Sequence, residues 1–351
     1  MTKRPSTKLT FRDGGWVLVL AALLSLSVAV WGLSSAVLGK RPIGGHDLAS
    51  YQFDLTNSLV PEAELIPSGQ PRDFLRALTV REVMPASAMA DFNQGTRKRY
   101  LLTQDRVVGV VIDGAARAYA LSVLNGHEII EDTLNGVPIA VTYSPFCDAA
   151  VVYDRRVNGT TLSFGVSGLL RNANTLLYDR GSAQPSLWQQ LDGRAITGPH
   201  AGTAAQLTPI AGTCITTWAD WIAAHPDSDV PRRDEGNVQL YRRISYERSH
   251  VDPTIEFPVT PSPSAVLQLK APVVVVDANG ERGAYAIERL RAAASNGQVI
   301  ATLGGVVLQF DIPAEPMAVA RVSAPNGEPI VVRPCFWFAA NTLLGVREAL
   351  P

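Results

Sequence analysis

The distribution of apolar and polar residues divides the chain into an uncharged N-terminal segment and a long β-rich remainder. The segment from Gly14 to Gly39 contains no charged residue. A helix of about 20 apolar residues, rising about 1.5 Å per residue, spans the hydrocarbon core of a bilayer. The pattern therefore predicts a transmembrane helix over residues 14–39, which would attach the chain to a membrane.

The charges in front of this segment predict its orientation. Four basic residues and one acid precede it: Lys3, Arg4, Lys8, Arg12 and Asp13. Because basic flanks stay on the cytoplasmic side, residues 1–13 are expected in the cytoplasm. The expected protein is a single-pass membrane protein with its domain outside the cytoplasm. A cleaved signal peptide is the alternative, although its apolar region usually spans only about 7–15 residues.

Period-two patterns and turn residues dominate the rest of the chain. Residues 40–70 predict a polar tether with short ordered patches, and residues 71–256 predict a main domain. A β-branched run at 106–112 is followed by Asp113-Gly114, which predicts a β-hairpin that leads into a short helix. Further on, Trp218, Trp221 and Ile222 share one helical face, and Pro226 ends that helix.

The chain contains an internal repeat. "VVGVVIDGAARAYALSVL" (107–124) aligns without a gap with "VVVVDANGERGAYAIERL" (273–290), and a Pro-rich linker at 257–264 separates the two. The predicted fold class is therefore α+β and β-rich, with two related units and short helices. The second unit, 265–351, has no counterpart of His127 or Cys147. Any site is accordingly expected in the first unit.

Composition narrows the functional classes. The chain has 351 residues, of which 46% are apolar and 18% charged, and its formal net charge is −1. This length allows a sizeable core, and the balanced charge gives no basic surface for nucleic acid. The sequence contains no P-loop, HExxH, GxSxG or strand-linked GxGxxG motif.

Three cysteines remain as candidates for chemistry: Cys147, Cys214 and Cys335. An exported domain permits disulfides, so one disulfide plus one free thiol is one interpretation. Three buried, unreactive cysteines are the other, because free cysteine packs readily in cores.

His127 and Cys147 are the strongest candidates for a site. Imidazole and thiolate together suit a copper or zinc ion, and a Cys–His pair also suits nucleophilic catalysis. A metal usually needs three or four ligands, and the sequence identifies only these two. Glu128 and Tyr143 are candidate ligand-binding residues beside them. The structural alternative is that His127 ends a helix and Cys147 packs in the sheet.

A second polar set surrounds an aromatic residue in a turn-rich region. Asp179, Ser186 and Trp188 belong to "LLYDRGSAQPSLWQQLDG". Aromatic rings with a few polar groups are the usual lining of ligand pockets. A compact loop held together by Trp188 is the alternative.

Several motifs, in order, resemble one bacterial family. They are "GVVIDGAARAYALSVLNGHEIIED", "GVPIAVTYSPFCDAAVVYDR", "LSFGVSGLLRNANTLLYDR", "SLWQQLDGRAITGP" and "TWADWIAAHPD". Together they resemble the family called domain of unknown function 3179, over roughly residues 65–260. The tail "PCFWFAANTLLG" is similar to a segment of the same family and would extend the resemblance into the second unit. The resemblance implies an exported, often membrane-anchored protein without an established reaction.

The chain departs from the family pattern at two positions. Relatives typically carry Cys-x-x-Cys where this chain has Ser144 and Cys147, and a Trp where it has Gly126. If the family uses the cysteine pair to clamp a metal or as a redox pair, this chain lacks half of it. A protein at the bacterial inner membrane that binds a metal or small ligand in the periplasm or outside the cell is the first expectation, because it requires fewer unidentified groups than an enzyme does. A cysteine-dependent enzyme and a non-catalytic scaffold for partner proteins remain the alternatives.

Overall fold

The computed structural model describes residues 16–17, 19–27, 43–312, 321–326, 330–347, 349 and 350. Residues 16–17 and 19–27 are helical, and the remainder of the predicted transmembrane segment 14–39 lies outside the described residues. Within the described ranges, no helix combines the length and the apolar character that crossing a bilayer requires. Residues 43–351 group into one compact unit, to which the following description refers.

This unit is built mainly from short strands and one- or two-turn helices, in agreement with the β-rich α+β prediction. The strands are β1 Ile66–Pro67, β2 Leu78–Thr79, β3 Val83–Pro85, β4 Arg106–Ile112, β5 Ala115–Ala120, β6 Ile129–Leu134, β7 Val137–Ser144, β8 Ala149–Asp154, β9 Arg156–Val157, β10 Thr160–Thr161, β11 Phe164–Arg171, β12 Asn174–Asp179, β13 Leu187–Gln189, β14 Thr208–Pro209, β15 Cys214–Thr217, β16 Asp229–Pro231, β17 Pro272–Ala278, β18 Glu281–Ala286, β19 Gln298–Leu303, β20 Val306–Asp311, β21 Arg321–Ser323, β22 Val332–Phe336 and β23 Ala349–Leu350. The α-helices are α1 Met89–Gln94, α2 Leu121–His127, α3 Trp218–Ala224, α4 Val238–Arg243, α5 Glu247–Val251, α6 Ile287–Ala293 and α7 Trp337–Leu343. Single 3₁₀ turns occur at Leu48–Tyr51, Glu62–Glu64, Ala86–Ala88, Pro145–Cys147 and Glu235–Asn237.

The predicted local elements are present. Asp113 and Gly114 both have positive φ, as a two-residue hairpin turn requires, and they join β4 to β5. Helix α3 begins after Thr217, whose hydroxyl accepts a hydrogen bond from the backbone N–H of Asp220. It ends at Ala224, two residues before Pro226.

The two segments of the repeat have the same topology. In the first, strands β15, β4, β5 and β16 are neighbours, and in the second, β22, β17, β18 and β23 follow the same order. The central hairpins pair antiparallel, and the fourth strand is parallel to its neighbour in both sheets. Strands β6, β7 and β8 likewise correspond to β19, β20 and β21. Helices α2 and α6 occupy the equivalent place after the hairpin.

The segments share their cores. One hydrophobic cluster contains Val108 and Val276, and a second contains Val151 and Val275. Because each cluster draws on both copies, neither copy buries its sheet by itself. The Pro-rich segment 257–264 has no regular structure. Within it, the backbone N–H and C=O of Thr260 bond to the side chain of Asn172, each at 2.9 Å.

The first copy differs from the second by a long insertion. Residues 155–213 connect β8 to β15 and form β9 to β14, whereas residues 324–331 make the corresponding connection in the second copy. The insertion forms most of a four-stranded sheet in the order β1-β11-β12-β13. Its first strand belongs to the predicted tether 40–70, so ordered structure begins before residue 71. Tyr51, from the same region, is fully buried in a small cluster beside this sheet.

Candidate ligand-binding site

Glu128 follows the last residue of α2 in an unusual backbone conformation. Its φ is +57°, and its N–H closes the helix on Leu124 O at 2.7 Å. Glycine is the common residue at such a left-handed helix end, because a Cβ there is disfavoured. A strained, non-glycine residue of this kind persists only where surrounding contacts impose it, and such residues concentrate at functional sites.

Glu128 lines a largely apolar cavity of about 360 Å³. We call it the Glu128 cavity. Its wall comes from the first copy, from the insertion and from the segments that flank the first copy: Phe74, Phe146, Val166, Leu169, Thr175, Ile244, Tyr246 and Phe257. The ring of Phe146 contacts Tyr246 and Phe257 edge to face, with centroid distances of 5.4 and 4.9 Å. The cavity thus combines three neighbouring aromatic rings with one carboxyl group.

The Glu128 carboxyl is almost completely buried, and no cationic side chain of the described residues pairs with it. Within the described residues its side chain accepts one hydrogen bond, from Thr175 Oγ1 at 3.0 Å, and takes part in no ion pair. Burial raises its pKa to about 7, and the Thr175 hydrogen bond opposes that rise only partly. Near neutral pH this group therefore exists in both protonation states.

Ser144 binds the backbone of Thr175, one of the residues that line the Glu128 cavity. Its Oγ accepts a hydrogen bond from the backbone N–H of Thr175 at 3.0 Å, which joins the end of β7 to β12. Ser144, where the resemblance predicts a cysteine, thus binds the backbone of Thr175, the residue that donates to Glu128. Gly126 is similarly constrained, because a Cβ there would lie 3.1 Å from Cδ1 of Tyr241. A tryptophan at this position requires a different placement of Tyr241.

Cys147 is completely buried in the core, in the 3₁₀ turn between β7 and β8. Its sulfur lies 3.9 Å from Asn172 O. Burial raises the pKa of its thiol to about 12. All three cysteines are buried free thiols, which corresponds to the second of the two interpretations of the cysteine count.

His127 ends α2, as the structural alternative predicted. Its Nδ1 lies 2.6 Å from Arg76 O and its Nε2 lies 2.9 Å from the Tyr241 hydroxyl. A carbonyl only accepts, so Nδ1 donates to Arg76 and Nε2 accepts from Tyr241 in the neutral ring. Both ring nitrogens are thereby engaged. The described part of the chain contains no group of three or more side chains suited to a metal ion. Metal binding at His127 and Cys147 stays a prediction that the geometry does not support.

Tyr143 belongs to a buried charge cluster at the end of β7. Its hydroxyl donates to Asp148 Oδ1 at 2.7 Å, and Arg106 Nη2 lies 2.8 Å from Asp148 Oδ2. Burial is the largest single influence on Asp148 and opposes its ionisation, but the nearby Arg106 and His250 and the hydrogen bonds from Arg106 and Tyr143 together keep the pKa of this carboxyl below its usual value. Because the Tyr143 hydroxyl already donates to Asp148, a ligand beside Tyr143 would contact mainly its ring.

The second predicted polar set comes together, but away from both His127 and Glu128. Asp179 Oδ1 accepts from the Ser186 N–H and from Trp188 Nε1, each at 2.8 Å. The Trp188 side chain is fully buried against Phe164. This geometry agrees with a compact loop held together by Trp188, the alternative to a pocket wall.

Three residues that line the Glu128 cavity were not predicted as site residues from the sequence: Thr175, Tyr246 and Phe257. Thr175 is a polar residue in a buried strand, which is a signal that invites a search for a buried partner. Tyr246 and Phe257 lie in irregular or briefly helical segments, where no local pattern distinguishes them from other aromatic residues.

The fold and the site define a duplicated β-rich protein with a partly open, largely apolar pocket that includes residues of its first copy. A sequence profile described as "Protein of unknown function (DUF3179)" matches residues 81–339, which is most of the chain, and the protein therefore belongs to this family. The match extends into the second copy, as the resemblance of the tail indicated. Neither the curated proteins nor the solved structures that were searched gave a match.

Proposed function

We propose that this protein binds a small, largely apolar ligand that carries an ammonium group, and that the Glu128 cavity is the binding site. The observation behind this proposal is a buried carboxyl group in the wall of a largely apolar cavity, without a counter-charge among the residues that the structure describes. An ammonium group beside Glu128 would supply the missing charge and stabilise the carboxylate.

The other walls suit the same ligand class. Phe146, Tyr246 and Phe257 lie together at the cavity, and clustered aromatic rings attract organic cations through their negative faces. The volume of about 360 Å³ falls within the range of about 300–1,000 Å³ that small-molecule sites occupy. Thr175 holds one oxygen of Glu128 and so limits the directions from which a cation approaches.

The alternative of a cysteine-dependent enzyme receives less support. A thiol with a pKa of about 12 in a fully buried position forms almost no thiolate near neutral pH. His127, the proposed base, is engaged by Arg76 and Tyr241. Attachment to a membrane through residues 14–39 and export of the domain remain part of the proposal on the sequence pattern alone.

Calorimetry with choline and its neutral isostere 3,3-dimethylbutan-1-ol tests the ligand class. The two probes have nearly the same shape and differ in charge. We expect choline to bind at least about tenfold more tightly, since a desolvated cation–aromatic contact alone contributes about 2 kcal/mol. Equal affinity for the two probes, or no binding of choline, would contradict the proposal.

Two variants test whether Glu128 is the residue that binds the ammonium group. Glu128→Gln keeps the shape of the side chain and removes its charge, so it should weaken choline binding at least about tenfold. The matched control is Glu62→Gln, which makes the same change at an exposed position outside the cavity and should leave the affinity unchanged. Unaltered binding in Glu128→Gln would place the cation elsewhere.

A further inference from the structure

The three-stranded sheet of the second copy, in the order β19-β20-β21, ends at β19 in an edge that the described residues leave uncovered. Gln298, Ile300 and Thr302 of this strand are exposed, and the Ile300 side chain is 59% exposed. Natural edge strands are protected by charges, prolines or bulges, because an unprotected edge pairs with other chains. Strand β19 contains no charged residue and no proline, and its register with β20 is regular.

The backbone of Ile300 and Thr302 has open hydrogen-bonding groups along this edge. Gly297 O accepts a backbone hydrogen bond from the residue after β20 at 2.8 Å, so the odd-numbered residues of β19 direct their N–H and C=O groups to β20. The even-numbered residues direct theirs outward. Gln298 exchanges two backbone bonds with Ser295, which closes one end of the edge. The outward groups of Ile300 and Thr302 have no partner among the described residues.

The first copy has the same edge, and there it is covered. Alignment of the turns that follow β6 and β19 places Ile300 at the position of Glu131. In the first copy β2 lies beside β6, and the N–H of Val80 donates to the outward C=O of Glu131 at 2.9 Å. The insertion covers the same face, since the N–H of Phe164 donates to the Glu131 carboxylate at 2.6 Å. The fold therefore accommodates a further strand at this edge, and the described part of the second copy supplies none.

We propose that a second molecule of this chain supplies the missing strand, and that the two β19 strands pair antiparallel about a two-fold axis. Such an interface presents the same surface from both molecules and must therefore be complementary to itself. Strand β19 meets this condition, because its open groups are two N–H donors and two C=O acceptors, and because it carries no charge that would repel its equivalent.

One register satisfies every open group. When the axis passes through Ala301, Ile300 lies opposite the partner's Thr302, and each such pair exchanges two hydrogen bonds. The two pairs together form four bonds. An axis through Ile300 would instead set Thr302 against the partner's Gln298, whose groups are already engaged by Ser295. The register centred on Ala301 is therefore the expected one. It involves no residue of the Glu128 cavity, so it stands whether or not choline binds.

Cysteine substitution in the full-length chain tests this register. In it, the two residues 301 form a non-hydrogen-bonded pair with Cα atoms about 4.5 Å apart, which a disulfide spans. Residues 300 lie diagonally, about 7–8 Å from each other, as do residues 302, and a disulfide does not span more than about 7 Å. The native cysteines are all buried.

Under mild oxidation, Ala301→Cys should form a covalent dimer at least about tenfold faster than Ile300→Cys or Thr302→Cys. This order is the reverse of exposure, because Ala301 is half-buried and the other two residues are exposed. Electrophoresis without reductant measures the dimer. Equal rates at the three positions, or no dimer of Ala301→Cys, would contradict the register.

Sedimentation equilibrium of the full-length chain measures the association itself. Four hydrogen bonds between two short strands define a weak interface, so concentrations of about 0.01–0.3 mM are required. A mild detergent disperses the uncharged segment 14–39. Thr302→Pro removes an outward N–H from each molecule, and so two of the four bonds, while the bonds to β20 remain. It should raise the dissociation constant of the dimer at least about tenfold.

Thr302→Val is the matched control, because it keeps both the β-branched shape and the N–H. It should leave the dissociation constant unchanged within about twofold. A wild-type chain that stays monomeric over this range, or equal constants for Thr302→Pro and Thr302→Val, would overturn the inference. A monomeric chain that binds a synthetic peptide of residues 76–82, which include β2, would also overturn it and assign the edge to an extended segment of another protein.

Discussion

Replacing Glu128 by Gln should stabilise the fold, by an amount that grows as the pH rises. The folded pKa of Glu128 is about 7, whereas a glutamate in an unfolded chain titrates near 4.5. Each pH unit between two such values corresponds to about 1.36 kcal/mol, so the full effect is about 3 kcal/mol. Gln keeps the shape and the acceptor for Thr175, and it does not ionise.

The direction of this pH dependence follows from the difference in proton binding by Glu128 between the folded and the unfolded chain. Below a pH of about 4.5, Glu128 is protonated in both the folded and the unfolded chain and contributes no pH dependence. Between about 4.5 and 7, the unfolded chain has released this proton while the folded chain retains it, so the free energy of unfolding falls as the pH rises. Above about pH 7 Glu128 is ionised in both states, and the free energy of unfolding no longer changes with pH because of this group.

Urea unfolding of both proteins at several pH values measures the effect. Subtracting the wild-type free energy of unfolding from that of Glu128→Gln at each pH cancels every other titrating group. The difference should be near zero at about pH 4.5 and reach about 3 kcal/mol in favour of the variant at about pH 8. A difference that does not change with pH would refute a raised pKa for Glu128.

Two further predictions concern the core. Cys147 should remain unmodified by iodoacetamide in the folded chain at about pH 8 and react after unfolding in urea, since its thiol is buried and its pKa is about 12. Mass spectrometry of native and unfolded samples decides this, and fast labelling of native Cys147 would contradict it. Gly109→Ala should lower the free energy of unfolding by about 1–3 kcal/mol, because the added Cβ overlaps the ring of Trp221. Combining it with Trp221→Leu should recover part of the steric penalty, and a Gly109→Ala protein as stable as the parent would show that this contact relaxes freely.

Local patterns predicted much of the fold. The β4–β5 hairpin and helix α3 each depend on residues within one short segment, so their turn and cap residues sufficed. The repeat was visible because both copies keep the same hairpin and helix in the same order. Short ordered patches were expected within the tether, but the burial of Tyr51 was not, since it depends on a sheet formed more than one hundred residues later.

The site was harder to predict because its parts are distant in sequence. Glu128 meets Thr175 from the insertion and Tyr246 from a segment after α4, and no spacing rule connects them. Asp179 and Trp188 illustrate the opposite difficulty. A carboxylate beside an indole suits a pocket wall or a packed loop equally well, and only burial distinguishes the two.

The duplication provides an internal reference for position 128. In the gapless alignment of the two copies, Glu128 corresponds to Ala294 at the end of α6. Ala294 has an ordinary φ of −66°, whereas Glu128 has a φ of +57° and a buried carboxyl. The same architecture therefore ends this helix without strain and without charge when nothing else is required of it. The fold does not require a glutamate at this position. Glu128 therefore lowers the free energy of unfolding, and the hydrophobic core that the two copies share compensates for this loss.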